Sequence, residues 1–186
     1  MHLFKKEFYV KNLLSILFLI PTIVFGGEVD LKKSTFKWTG TKVSGSHYGM
    51  VSLKSAKMDE KEGHIMSGEF VMDMNSMTCS DLQGEWMDKL IGHLKNDDFF
   101  AVDKHPTATL KIKHAMMGKL EGTLTIKGIS QPINLEYKKA GNNYTGKMKF
   151  DRTKFGIKYG SGNFFKGLGD KMIHDEVTVE FNVATK

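Results

Sequence analysis

After Ser34, apolar and polar residues alternate along most of the chain, the pattern of strands with one dry and one wet face. "STFKWT" puts Phe36 and Trp38 on one face, and "YGMVSLK" sets Val51 and Leu53 against Ser52 and Lys54. In "HIMSGEFVMDM", Met66, Phe70, Met72 and Met74 oppose Glu69 and Asp73. "TATLKIK" aligns Ala108, Leu110 and Ile112, and "KLEGTLTIKG" aligns Leu120, Leu124 and Ile126. "PINLEYK" gives Ile133, Leu135 and Tyr137, and "YTGKMKFDR" gives Tyr144, Met148 and Phe150. The last run, "EVTVEFNVA", aligns Val177, Val179, Phe181 and Val183.

One segment breaks this rhythm. "SDLQGEWMDKLIGHL" carries Leu82, Trp86, Leu90 and Leu94 four residues apart, which predicts a helical stripe. Ser80 followed by Gln83 resembles a capping box, so the helix is expected to start there. "NDDFF" is expected to add a short turn capped by Asn96 or Asp97. His105 precedes Pro106 and so leads into the next strand in extended geometry.

Eight short strands with one polar face each predict an all-β protein built on an antiparallel sheet. Closing that sheet into an eight-stranded barrel with a short helical insertion buries every apolar face and removes the edges. A two-sheet sandwich is the rival.

Composition changes this picture mainly at the N-terminus. Lys5, Lys6 and Lys11 precede the uncharged run Leu13–Phe25, and Gly26 and Gly27 follow it. That order reads as a secretory leader over residues 1–26, leaving one domain over 27–186. The run of thirteen residues contains Pro21 and falls short of the ~20 that a spanning helix needs. A retained anchor is the alternative, but no stable membrane span is expected after cleavage. Losing three lysines and one glutamate lowers the formal charge from +6 to +4. The remaining lysines are scattered along the strands, and nucleic acid would need them clustered.

Catalytic and metal chemistry find little support. None of the seven histidines (2, 47, 64, 93, 105, 114 and 174) forms a ligand-spaced pair, although His47 could meet His93 or His105 in space. Asp97 and Asp98 are adjacent and point about 100° apart on a helix, which suits capping better than a carboxylate dyad. Cys79 is the sole cysteine and reads as a small buried hydrophobe. The expectation is a protein with no catalytic residues, metal or cofactor.

Six segments in this order carry a resemblance: "SGSHYGMV", "FVMDMNSM", "HLKNDDFFAVDKHPTATL", "GTLTIKGISQPINL", "FDRTKFGIKYG" and "LGDKMIHDEVTVEFNV". From about Ser34 to Val183 the chain resembles the YceI family. The resemblance implies a lipocalin-like eight-stranded barrel, exported to the periplasm or secreted, whose cavity holds a polyisoprenoid or similar long-chain amphiphilic lipid. A fatty acid or fatty amide, or an isoprenoid quinone in an electron-transfer setting, are the alternative ligands. An envelope stress or surface protein with an incidental cavity is another reading, and a homodimer stays open. The apolar faces suit a solid core equally well. With a cavity, they would supply its lining: Phe36 and Trp38, Phe70 and Met72, Leu110 and Ile112, Leu124 and Ile126, Leu135 and Tyr137, Phe150, Val179 and Phe181. Trp86, Phe99 and Phe100 would close one end. In the Gly-rich stretch Asp151–Lys171, Phe155, Tyr159, Phe164 and Phe165 are expected at the entrance. Arg152 there is either structural glue or a contact for a polar head group.

Overall fold

The computed structural model describes residues 28–116 and 118–186, so the expected leader lies outside the described residues. The strands are β1 (Thr35–Lys42), β2 (Gly45–Met50), β3 (Ser52–Lys61), β4 (His64–Asp73), β5 (Thr107–Met116), β6 (Lys119–Ile126), β7 (Ile129–Ala140), β8 (Asn143–Asp151) and β9 (Ile173–Ala184). A single helix, α1 (Gly84–Lys95), stands between β4 and β5. All nine strands form one sheet in the order β2-β1-β9-β8-β7-β6-β5-β4-β3. Every neighbouring pair is antiparallel.

The fold class is the expected one, with nine strands in place of eight. The segment read as one strand, "YGMVSLK", divides at Val51 between β2 and β3. These are the two edges of the sheet. Because one residue separates them, the sheet must curl until its edges meet, as a barrel requires. Val51 N–H donates to the Phe36 carbonyl at the join.

The outer edge of β2 is covered by the chain from Ser76 to Asp81. Thr78 N–H donates to the Met50 carbonyl, Ser80 N–H to that of Tyr48, and the Ser76 hydroxyl accepts from Ser52 N–H. Covering an edge in this way withholds its free N–H and C=O groups from other chains. The approach is close: a Cβ on Gly49 would sit 1.8 Å from the Thr78 carbonyl oxygen, so only glycine fits.

Two expectations about faces need correction. Met66 does not share the inward face with Phe70; it is exposed, and Ile65 is buried in its place. The β3–β4 register slips between Asp59 and Glu60, so Met66 is the extra residue. A one-residue slip flips the face of every residue beyond it. The helix also differs. It begins at Gly84, and its N-cap Gln83 makes no side-chain cap bond. Its inward stripe is Met87, Leu90, Ile91 and Leu94, whereas Trp86 is 71% exposed beside Lys89. A four-residue spacing drifts about 40° per step on a helix of 3.6 residues per turn. Trp86 is thereby rotated off the face that Leu94 occupies.

The turn after α1 forms at Asn96, whose carbonyl accepts from Phe99 and Ala101 N–H and whose side chain accepts from Asp97 N–H. Among the described residues no helix is long and apolar enough to cross a membrane.

Candidate functional site

The inward faces leave a cavity of about 220 Å³ along the sheet axis. Alternation fixes its walls. On β1 the lining runs Phe36, Trp38, Gly40, Lys42; on β9 it runs from Ile173 through Val177, Val179 and Phe181 to Val183; on β8, from Phe150 through Met148 to Tyr144, with Arg152 just past the end of the strand. The registers stack these as layers, Phe36 beside Phe181 and Trp38 beside Val179, which in turn faces Met148. Tyr144 to Phe150 spans roughly 20 Å at about 3.4 Å per residue, so the cavity is long and narrow.

Its two ends differ. Ile65, Leu120, Leu135, Tyr144 and Val183 line the far end and are all buried, which makes it blind. The near end is lined by Thr41, Lys42 and His47, all half-buried, and by exposed His174. The Thr41 hydroxyl and His174 Nδ1 are 2.9 Å apart. Polar groups thus gather at the mouth, and the remaining depth is almost wholly apolar. One exception is the Tyr144 hydroxyl, whose acidity burial and the neighbouring Glu60 carboxylate suppress. Among the described residues no His, Cys, Asp and Glu cluster has the arrangement of a metal site.

The anticipated lining residues separate into two groups. Phe36, Trp38, Phe70, Met72, Leu110, Ile112, Leu124, Ile126, Leu135, Phe150, Val179 and Phe181 border the cavity. So do Phe99 and Phe100 from the turn after α1, which with Leu90, His93 and Leu94 close part of the near end. Six residues do not border it. Tyr137 is buried against Tyr144, and its hydroxyl accepts from Ile65 N–H. Trp86 is turned to solvent for the reason given above. Phe155 is 2% exposed and packs edge-on to Phe150, beneath the entrance and not at it. Tyr159, Phe164 and Phe165 are on the surface of the loop before β9. Only Tyr159 reaches the cap, its ring centroid 4.4 Å from that of His93.

Of the polar mouth residues, the sequence offers His47 and His93 as a pair able to meet in space, and both border the cavity. Thr41, Lys42 and His174 escaped sequence reading. Alternation could have flagged Lys42 at the end of β1's inward row. Nothing local marks the others.

Arg152 explains how the entrance is held. It is 1% exposed, and its five N–H donors all find partners. Nε donates to the His174 carbonyl, one terminal nitrogen to Ile157 and Tyr159 carbonyls, and the other to the Ile173 carbonyl and Asp175 Oδ1. Its guanidinium also lies 5.6 Å from the Phe99 ring centroid. Burial pulls the guanidinium below its ordinary value, and Asp175 and Asp151 oppose that shift. With no donor left over, the glue role describes Arg152, and a head-group contact does not.

A second polar node ties the covering segment to β2. Asp81 accepts from His47 Nδ1 at 2.7 Å, Tyr48 N–H at 2.9 Å and the Cys79 thiol at 3.3 Å. Burial pushes its carboxyl up, but the Tyr48, His47 and Cys79 contacts outweigh that and hold it below the ordinary carboxylate range. A depressed folded value means the carboxylate stabilises the fold above the unfolded value, and the effect is lost as pH falls through the folded one. Asp81→Asn should therefore cost about 1–3 kcal/mol at neutral pH. Melting curves of the two proteins should converge in acid; a constant gap would refute the assignment.

A curled antiparallel sheet around one blind apolar cavity defines the class: a small barrel with a lumen. Residues 28–185 match the model of the YceI-like domain, and the chain belongs to that family. Solved structures agree on the fold. BcnA of Burkholderia cenocepacia is 22% identical with a TM-score of 0.66, over 86% of this chain and 100% of that chain. A polyisoprenoid binding domain from Saccharophagus degradans, implicated in plant cell wall breakdown, is 13% identical with a TM-score of 0.57, over 85% and 97%. The YceI protein of Campylobacter jejuni is 18% identical with a TM-score of 0.54, over 98% and 99%. No curated protein matches the chain.

Proposed function

We propose that the protein is an exported, non-catalytic carrier that holds one long-chain amphiphilic lipid, a polyisoprenoid or close relative, in its barrel. The observation that carries this reading is the shape and chemistry of the cavity: long, blind, mainly apolar in depth, with polar groups gathered at the mouth around Thr41, Lys42, His47 and His174. Such a site offers a flexible hydrocarbon tail dry contact area at roughly 25 cal/mol per Å², with no directional demands. It also sets orientation, tail toward Tyr144 and polar head at the mouth. Met72, Met74, Met77 and Met148 contribute adaptable surface to the wall. The family membership supports the reading, as does the polyisoprenoid binding named for the Saccharophagus degradans domain. The basic, apolar leader sequence supports export to the periplasm.

Native mass spectrometry of protein purified from its own cell envelope tests this directly. A homogeneous added mass, identified as a polyprenyl compound after extraction, is the expected result. Protein that emerges empty, and stays empty when incubated with polyprenols, would refute it.

A further inference from the structure

The loop between β8 and β9 carries a feature that the cavity does not absorb. Among the described residues, every phenylalanine is buried or half-buried except Phe164 and Phe165, which are 48% and 49% exposed. They are adjacent, and Lys158, Lys166 and Lys171 are exposed in the same loop, with Asp170 as its exposed acid. The Lys158 ammonium sits 4.7 Å from the Phe164 ring centroid.

This tip is held rigidly. Ser161 is fully buried; its hydroxyl donates to Asp175 Oδ2, and its carbonyl accepts from Phe164 and Phe165 N–H. Asn163 donates to the same Asp175 oxygen, whose partner oxygen takes Arg152. The buried ion pair thus fixes the root of the loop, and the two rings project from it.

The C-terminal end of this loop borders the mouth. Ile173 and His174, which line the cavity, directly follow the loop. On its other side, Val43 N–H donates to the Met172 carbonyl and the Ser44 hydroxyl to that of Asp170. These residues form the turn after Thr41 and Lys42, and Val43 is itself half exposed.

We propose that this loop, through Phe164 and Phe165 and its lysines Lys158, Lys166 and Lys171, docks the cavity mouth onto an anionic lipid bilayer. The proposal rests on the lipid-carrier reading and adds the surface from which the lipid is drawn. Aromatic rings favour the interface between head groups and hydrocarbon. Lysines with apolar stems and charged tips lie against an anionic surface. The mouth then opens toward the membrane, and a lipid passes tail-first without crossing water.

The test is co-sedimentation of the whole protein with vesicles of phosphatidylethanolamine and phosphatidylglycerol, compared with phosphatidylcholine alone. Wild type should bind the anionic vesicles preferentially and lose binding near 1 M salt, where the screening length shrinks to about 3 Å. The double variant F164S/F165S should bind them about tenfold or more weakly. Replacing the three lysines with Gln should remove both the preference and the salt sensitivity. Circular dichroism and melting curves confirm that the variants fold. Equal sedimentation of wild type and F164S/F165S, or none by wild type, overturns the proposal.

Binding of farnesol added in solution, read by native mass spectrometry, separates the two readings. Farnesol binding retained by a variant that has lost vesicle binding supports docking and the carrier function together. Farnesol binding with vesicle binding unchanged removes docking alone. Loss of vesicle binding in a protein that never takes farnesol leaves docking standing and removes the cavity reading.

Discussion

Arg152→Met should lower stability by about 3–5 kcal/mol, the usual cost of removing one partner from a buried ion pair. In a domain of this size that is a fall in melting temperature on the order of 10 °C. The substitution keeps the apolar stem but strands the carbonyls of Ile157, Tyr159, Ile173 and His174, together with one Asp175 oxygen. Ser161 and Asn163 still donate to the other oxygen, so the carboxylate is only partly orphaned. Arg152→Lys should recover part of the loss, because an ammonium donates three bonds where the guanidinium donates five in a fixed fork. The loop should also become the first site of proteolysis, at Lys158 or Lys166, before the sheet opens. Thermal melts and limited trypsin digestion check both. A variant that melts like wild type but loads no lipid would instead place Arg152 at the ligand head.

How far the fold could be read in advance follows from the range over which its causes act. Alternation is local, and it delivered the strands, including the rows Leu110–Ile112, Leu124–Ile126 and Val179–Phe181 that border the cavity. The split at Val51 was invisible because β2 and β3 continue one alternating run. What separates them is the choice of partner, β1 for one and β4 for the other. Met66 failed for a related reason: a bulge is set by pairing between strands, not by either strand alone. Cys79 was anticipated as buried, which it is, but its thiol's contact with Asp81 depends on the covering segment meeting β2. The mouth is assembled from β1, β2, α1 and β9, so His47, His93 and His174 come together only in three dimensions. Phe155 and Phe164 are nine residues apart in one aromatic loop, yet one is buried and the other exposed. Composition treats them alike; the turn Arg152–Phe155, capped by Asp151 and ended by Gly156 at φ 76°, separates them.

The same local signals could not tell a hollow barrel from a solid one, and Gly40 offers the means to decide. It occupies an inward position on β1 between Trp38 and Lys42, and a Cβ placed there meets no atom within 4 Å. Gly40→Phe therefore sends a ring into open lumen near the mouth. Two effects follow with opposite signs. Lipid loading should fall about tenfold or more, because the tail must pass this layer to reach Phe36 and Phe181; one such factor corresponds to about 1.4 kcal/mol of lost binding. Stability of the delipidated protein should hold or rise by about 1 kcal/mol, since a strand glycine is replaced by a strong strand former that buries apolar area. In a solid core the same ring would overpack its neighbours and cost about 1–3 kcal/mol. Delipidated forms must be compared, because bound ligand raises the apparent stability of wild type alone. Reduced loading with an unchanged or higher melting temperature identifies a lumen that works by being empty space. A destabilised Gly40→Phe protein would mean that the interior has no room to give, and the carrier reading would fall with it.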